Sequence, residues 1–150
     1  MSRSALRTEN AEALKPDRIK LLIVDDDNVH RVIIKRFAKI LDFDIAEAAS
    51  FDRAVLLIDQ EHFDCITLDL SLDARDGMDV LRHLWHNGRL IPVLIISGAD
   101  DSKRSESTMQ AELMRFNVLH VVKKPLDLQA LREALTKLKS IVEFQGDRPV

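Results

Sequence analysis

Four places in this chain set a reactive side chain directly after an apolar run. Ile19 to Val24 leads into Asp25-Asp26-Asp27, the mostly apolar Phe63 to Leu68 into Asp69, Pro92 to Ile96 into Ser97, and Val118 to Val122 into Lys123-Lys124. Gathered at one place, the carboxylates would hold a hard divalent cation. Mg²⁺ suits a site with a few oxygen ligands and positions left for water and phosphate. Ser97 could donate a hydroxyl hydrogen bond and Lys124 a point charge, so cation, hydroxyl and ammonium together would neutralise a phosphoryl group. Asp69, like other nucleophilic carboxylates, could itself accept that group. Plainer readings compete: Asp69 could cap a helix starting near Met78, and three adjacent carboxylates are tolerable in any solvated loop.

The chemistry depends on elements that bring the four places together. Residues 1–18 mix charges with few large apolar side chains and carry Pro16, which suits a flexible N-terminal arm. Ile19 to Val24 reads as the first strand. Asn28 can cap a first helix with Val29, Ile33, Phe37 and Ile40 at helical spacing. Phe43 to Ala48 is a shorter, less apolar strand suited to a sheet edge, and Ser50 can cap a second helix carrying Phe51, Ala54, Val55 and Ile58. The strand ending at Asp69 precedes a polar loop and a third helix from Met78 to His86, with Leu81, Leu84 and Trp85 facing inward and Asn87-Gly88 closing it.

Pro92 to Ile96 is the fourth strand. A fourth helix follows, starting at Asp100, Asp101 or Ser102 and carrying Met109, Leu113 and Phe116. Val118 to Val122 is the fifth strand. Asp127 begins the last helix, whose stripe Leu128, Leu131, Leu135, Leu138 and Val142 suits packing on a sheet better than a coiled coil of only about two heptads. Five strands alternating with five helices predict an α/β fold, a doubly wound five-stranded parallel sheet. With strand order 2-1-3-4-5, Asp25 and Asp26 would lie beside Asp69, flanked by Ser97 and Lys124.

Composition excludes some alternatives. The 150 residues suit one domain, and a formal net charge of -3 argues against a mainly electrostatic nucleic-acid binder. No stretch approaches the ~20 apolar residues of a membrane span, and the N-terminus lacks a signal-peptide core, which points to a cytoplasmic protein. The single Cys65 reads as a small core residue. The five histidines show no credible metal-ligand spacing; His83 and His86 share a helix face without an acidic third ligand.

With these motifs in hand, the chain resembles the receiver domain of two-component response regulators, in a single-domain form similar to the chemotaxis regulators and with their flavodoxin-like fold. The matching pieces are Leu22 to Asp27, Leu68 to Leu72 with Gly77 eight residues after Asp69, Ile95 to Gly98, and Lys123-Lys124-Pro125. The resemblance spans about residues 19–142; the receiver domain itself is placed at 19–143, with a C-terminal tail at 144–150. It implies that Asp69 is the phosphoacceptor, receiving a phosphoryl group from a sensor histidine kinase or a histidine phosphotransfer protein. It further implies that Asp26 ligates Mg²⁺ directly, Asp25 through water, and Ser71 through its backbone carbonyl, with Asp69 as a further ligand. Ser97 matches the switch hydroxyl, Lys124 the phosphate-pairing lysine, and Lys124-Pro125 the family's cis peptide.

Two positions depart from the family pattern. Asp73 stands where proline is common, which leaves the loop after Asp69 less restrained. Val121 stands where many members carry the aromatic partner of the switch hydroxyl, and the chain has no tyrosine. The segment from Ser97 to Lys124 is several residues longer than usual and lengthens the fourth helix, with charged Asp100, Asp101, Lys103, Arg104 and Glu106 either solvated or forming a partner surface. No output domain is expected after the last helix. The signal is expected to reach a separate protein through the face between the fourth and last helices, or a second copy through the last two helices, without direct contact to nucleic acid or membrane.

Two other functions compete with this one. A haloacid-dehalogenase-type aspartyl-phosphate hydrolase would need a second carboxylate two residues past the nucleophile, where this chain has Ser71. A receiver-shaped interaction module that is never phosphorylated would normally have lost a key residue, whereas here all the key positions are filled. The protein is therefore expected to catalyse at most its own phosphorylation and dephosphorylation.

Overall fold

The computed structural model describes residues 18–72, 75–98, 113 and 115–146. Its centre is a parallel sheet of five strands: β1 (Lys20–Val24), β2 (Asp44–Ala48), β3 (Cys65–Asp69), β6 (Val93–Ser97) and β7 (Val118–Lys123). Their order is β2-β1-β3-β6-β7, the doubly wound arrangement predicted above. β3 and β6 are buried along their whole length, as strands covered on both faces must be. β2 and β7 occupy the edges and are the least buried.

Alternation along each strand splits the core in two. Leu22, Val24, Ile66, Leu68, Val93 and Ile95 face one side, where α2 (Phe51–Gln60) and α3 (Met78–His86) cover them. Leu21, Ile23, Cys65, Leu94 and Ile96 face the other, under α1 (Asn28–Ile40) and α4 (Leu128–Gly146). Leu131, Leu135 and Leu138 of α4 are buried in this second layer, so the leucine stripe packs on the sheet; Leu128 at its start is half exposed. Four helices lie among the described residues; most of the stretch expected to form the fourth of five lies outside them. Of the positions expected on the fourth, Met109 lies outside the described residues, whereas Leu113 is buried and Phe116 packs against the α2–α3 layer.

Local chemistry sets the element ends. Ser50 Oγ accepts from the Arg53 N–H and caps α2, as predicted. Asn87 and Gly88 close α3, with Gly88 at a φ of 69° that favours glycine. The cap of α1, however, is Asp27 rather than Asn28. The Asp27 side chain accepts from the N–H groups of Val29 and His30, while Asn28 Oδ1 accepts from Arg31. The buried stripe of α1 is Ile34 and Ala38, with Val29 and Ile40 exposed, because the sheet engages a face rotated from the Val29–Ile40 row. Trp85 is likewise 46 % exposed; it meets Phe116 edge to face with centroids 6.2 Å apart, at the margin of the core.

The loop after β3 carries regular structure of its own. β4 (Ser71–Leu72) and β5 (Arg75–Asp76) form a two-stranded antiparallel ribbon, pairing Ser71 with Asp76 and Leu72 with Arg75. Asp73 lies outside the described residues. Lys124-Pro125 is cis, as the resemblance implied.

Candidate functional site

The carboxyl ends of β1, β3, β6 and β7 meet along one edge of the sheet. Backbone bonds across this edge fix their relative heights: Asp25 N–H donates to Ala48 O, Leu70 N–H to Ile96 O, and Lys124 N–H to Ser97 O, at 3.1, 3.1 and 2.9 Å. Asp25, Asp69 and Ser97 are buried there, an expensive placement for two carboxylates unless something compensates their charge.

Asp69 is compensated. The Lys124 ammonium donates to Oδ1 at 3.0 Å and to Oδ2 at 2.9 Å, and the Ser71 N–H donates to Oδ1 at 2.9 Å. Asp69 does not cap α3: that helix starts at Gly77, and the Met78 N–H donates to Asp76. The start of α3 is pressed against the acceptor strand. A Cβ on Gly77 would lie 2.6 Å from both the carbonyl oxygen of Asp69 and Cα of Leu70, a distance real Cβ atoms do not tolerate. Glycine at 77 is required here by space, since its backbone is ordinary helical at φ -58° and ψ -24°.

Asp25 is only half compensated. Its Oδ1 accepts from the Asp27 N–H at 2.8 Å, but among the described residues Oδ2 has no hydrogen-bond partner. Burial, reinforced by the negative charge of Asp69 and opposed by the Asp27 N–H, pushes the Asp25 carboxyl up to about 7. Two buried carboxylates thus face one ammonium. That excess negative charge and the unsatisfied oxygen suit a divalent cation with oxygen ligands, and the site fits the Mg²⁺ expected from the sequence.

The expected site residues are distributed unequally. Asp25, Asp69 and Lys124 come together, Lys124 pairing with Asp69 and a carboxylate oxygen of Asp25 lying within 4.8 Å of one of Asp69. Ser97 ends β6 next to them, its hydroxyl making only a long 3.4 Å contact with the Gly98 carbonyl. Asp26 is exposed, just outside the buried pair, and Ser71 contributes an N–H to Asp69 from the ribbon. Val121 is half-buried in β7, paired with Ile95. The residue missed by sequence reasoning is His30. Nitrogen and oxygen ligand atoms of Asp25, His30 and Asp69 all lie within 4.8 Å of one another. The signal that points to it is its place five residues after Asp25, in the first turn of a helix that starts at the site.

Comparison with known proteins follows the same lines. The sequence model of the response regulator receiver domain matches residues 21–136. Among curated relatives, the transcriptional regulatory protein MalR of Bacillus subtilis is 28% identical over 120 residues, covering 79% of this chain and 49% of that protein. The sensor protein EvgS of Escherichia coli K12 is 24% identical over 131 residues, covering 86% of this chain and 10% of that protein. The chain therefore spans half or less of these relatives' length. Among solved structures, the receiver domain of AraT, a response regulator from Geobacillus stearothermophilus, superposes with a TM-score of 0.72 at 26% identity, covering 86% of this chain and 98% of that one. A CheY-like receiver domain from Methanospirillum hungatei superposes with a TM-score of 0.72 at 17% identity, over 86% and 99% of the two chains, a likeness of fold.

Proposed function

The chain belongs to the response regulator receiver domain family, and from that premise we propose that it is a phosphorylation-switched signalling protein whose acceptor is Asp69. The observation that carries this reading is the buried Asp69 carboxylate clamped on both oxygens by Lys124, beside a second buried carboxylate that lacks a partner for one oxygen. An oxygen of Asp69 attacks the phosphorus of a phosphohistidine on a sensor kinase or histidine phosphotransfer protein. The P–N bond breaks as the new P–O bond forms, and the donor imidazole departs with the bonding pair. Lys124 then has a phosphoryl oxygen to pair with where it now pairs with Asp69, and Ser97 offers a hydroxyl donor at the adjacent strand end.

Asp25, Asp26, Asp69 and the Ser71 carbonyl would hold Mg²⁺. When bound, the ion supplies positive charge for the phosphoryl oxygens and for the carboxylate excess. The domain is read as catalysing no reaction beyond its own phosphorylation and dephosphorylation. The signal passes to a separate partner, or to a second copy, through the face expected on the fourth and last helices, a face that lies partly outside the described residues. No described helix is long and apolar enough to cross a membrane, which is compatible with the cytoplasmic setting proposed here.

Incubation with acetyl phosphate and Mg²⁺, followed by intact-mass measurement, tests the reading. Wild type should gain one phosphoryl group and Asp69→Asn none. No gain in wild type would favour an interaction module that is never phosphorylated, and sustained hydrolysis of diverse phosphomonoesters would favour an enzyme.

A further inference from the structure

The first turn of α1 places an imidazole beside the two buried carboxylates. His30 is held by its backbone, whose N–H donates to Asp27 Oδ1 at 3.2 Å, and its ring is 21% exposed. Nδ1 points inward, 3.5 Å from Asp25 Oδ2 and 3.9 Å from Asp27 Oδ2. Among the described residues, neither Nδ1 nor the facing Asp25 Oδ2 has a hydrogen-bond partner, although both atoms are buried. An imidazole nitrogen and a carboxylate oxygen face each other here at 3.5 Å without a hydrogen bond, so either a proton on the ring or a cation between them must compensate the buried charge.

The spacing suits a metal ion. Ligand atoms held at about 2.1 Å from an ion stand about 3.0 Å apart at a right angle and about 4.2 Å apart when opposed. The 3.5 Å from Nδ1 to Oδ2 falls inside that range, and the 4.8 Å spread that includes Asp69 exceeds it only slightly. An oxygen-only site favours Mg²⁺, whereas imidazole nitrogen is a softer donor that suits first-row transition metals.

We propose that His30 is a nitrogen ligand of the cation centre at Asp25 and Asp69, so that this centre selects a divalent transition metal over Mg²⁺. The inference rests on the cation site of the function proposed above, and it adds a ligand and a metal preference to it. The exposed Asp26 then becomes the more replaceable carboxylate, because Asp25, His30 and Asp69 already supply three donors.

Co²⁺ added to the full chain is the probe. An imidazole that binds Co²⁺ through Nδ1 carries an exchangeable Nε2–H whose proton resonance is shifted far downfield and disappears in D₂O. The expected result is such a resonance in wild type and its loss in His30→Gln. Competition titration should show Co²⁺ affinity falling about tenfold in His30→Gln, the lower end of what loss of a metal-site group costs, with Mg²⁺ affinity changed less than about twofold. Co²⁺ bound in wild type without the shifted resonance, or with one that persists in His30→Gln, would overturn the inference. Phosphorylation of wild type by acetyl phosphate with Mg²⁺ in the same preparation would then show that the receiver function stands without it. Binding of neither Co²⁺ nor Mg²⁺ would overturn the inference and the cation site together.

Discussion

Lys124 Nζ lies 3.0 and 2.9 Å from the two carboxylate oxygens of Asp69, joining side chains that are 55 residues apart in sequence. Asp69 is 1% exposed and Lys124 21%, so the carboxylate depends on this partner. Lys124→Met should therefore destabilise the metal-free protein at pH 7 by about 3 kcal/mol, because it strands a buried charge. Asp69→Asn/Lys124→Met should recover most of that loss. Urea unfolding of the four proteins checks this, and equal losses in the single Lys124 variant and the double variant would contradict it.

Gly77 permits the closest backbone approach at the site. Gly77→Ala would push a methyl group to 2.6 Å from the Asp69 carbonyl, so the start of α3 or the end of β3 must move. The expected cost is about 1–3 kcal/mol, the usual range for overpacking. Phosphorylation by acetyl phosphate should slow as well, since the displaced strand end carries Asp69. A variant as stable and as fast as wild type would rule out the contact.

At the start of α1, Asp27 accepts two backbone N–H groups, and these hold its carboxyl below the usual range, the His30 N–H above all. This contribution is present above the carboxyl's unfolded-state pKa and fades as pH falls through the lowered folded value. Asp27→Ala should cost about 1 kcal/mol near neutral pH, as loss of an N-cap does. Asn28→Ala should stay within about 0.5 kcal/mol, since its side chain accepts a solvent-exposed hydrogen bond from Arg31 and does not cap the helix. Thermal unfolding distinguishes the two positions; a larger loss at Asn28 would reverse the assignment of the cap.

Asp25 has the opposite sign. Burial first, and Asp69 second, raise its carboxyl from 3.8 to about 7. The folded state therefore holds a proton that the unfolded chain releases. Metal-free protein should lose stability from this group as pH rises from about 4 to about 7, and Asp25→Asn should escape the loss. In EDTA at pH 8, Asp25→Asn should exceed wild type by about 1 kcal/mol or more, with the difference shrinking toward pH 4. Added Mg²⁺ should raise wild type and leave the variant nearly unchanged. A pH-independent difference would show that Asp25 does not titrate as described.

The sheet was legible because β1, β3 and β6 are almost wholly buried, so their sequences are mostly apolar runs that end where the chemistry begins. For the same reason Asp69 and Lys124 could be placed from strand ends alone once the strand order was assumed. The face of α1 was half legible: Ile33 and Phe37 of the expected stripe pack against the core, but Val29 and Ile40 are exposed and the fully buried positions are the neighbouring Ile34 and Ala38. Only the packing against the sheet selects those two. The β4–β5 ribbon has two residues per strand, too few for any periodicity to register. The partners of His30 are set by where α1 leaves the sheet, which spacing alone does not give, and Trp85, expected inward with Leu81 and Leu84, sits at the rim beside Phe116.

The central claim is that Asp69 forms the covalent bond to phosphorus. Chain treated with acetyl phosphate and Mg²⁺, then reduced with borohydride to convert the acyl phosphate to an alcohol, can be digested and its peptides sequenced by mass spectrometry. The account predicts a homoserine at position 69, absent from untreated protein and from Lys124→Met only to the extent that phosphorylation is slowed. Reduction mapped to Asp25, Asp26 or any other carboxylate, with Asp69 intact, would contradict it.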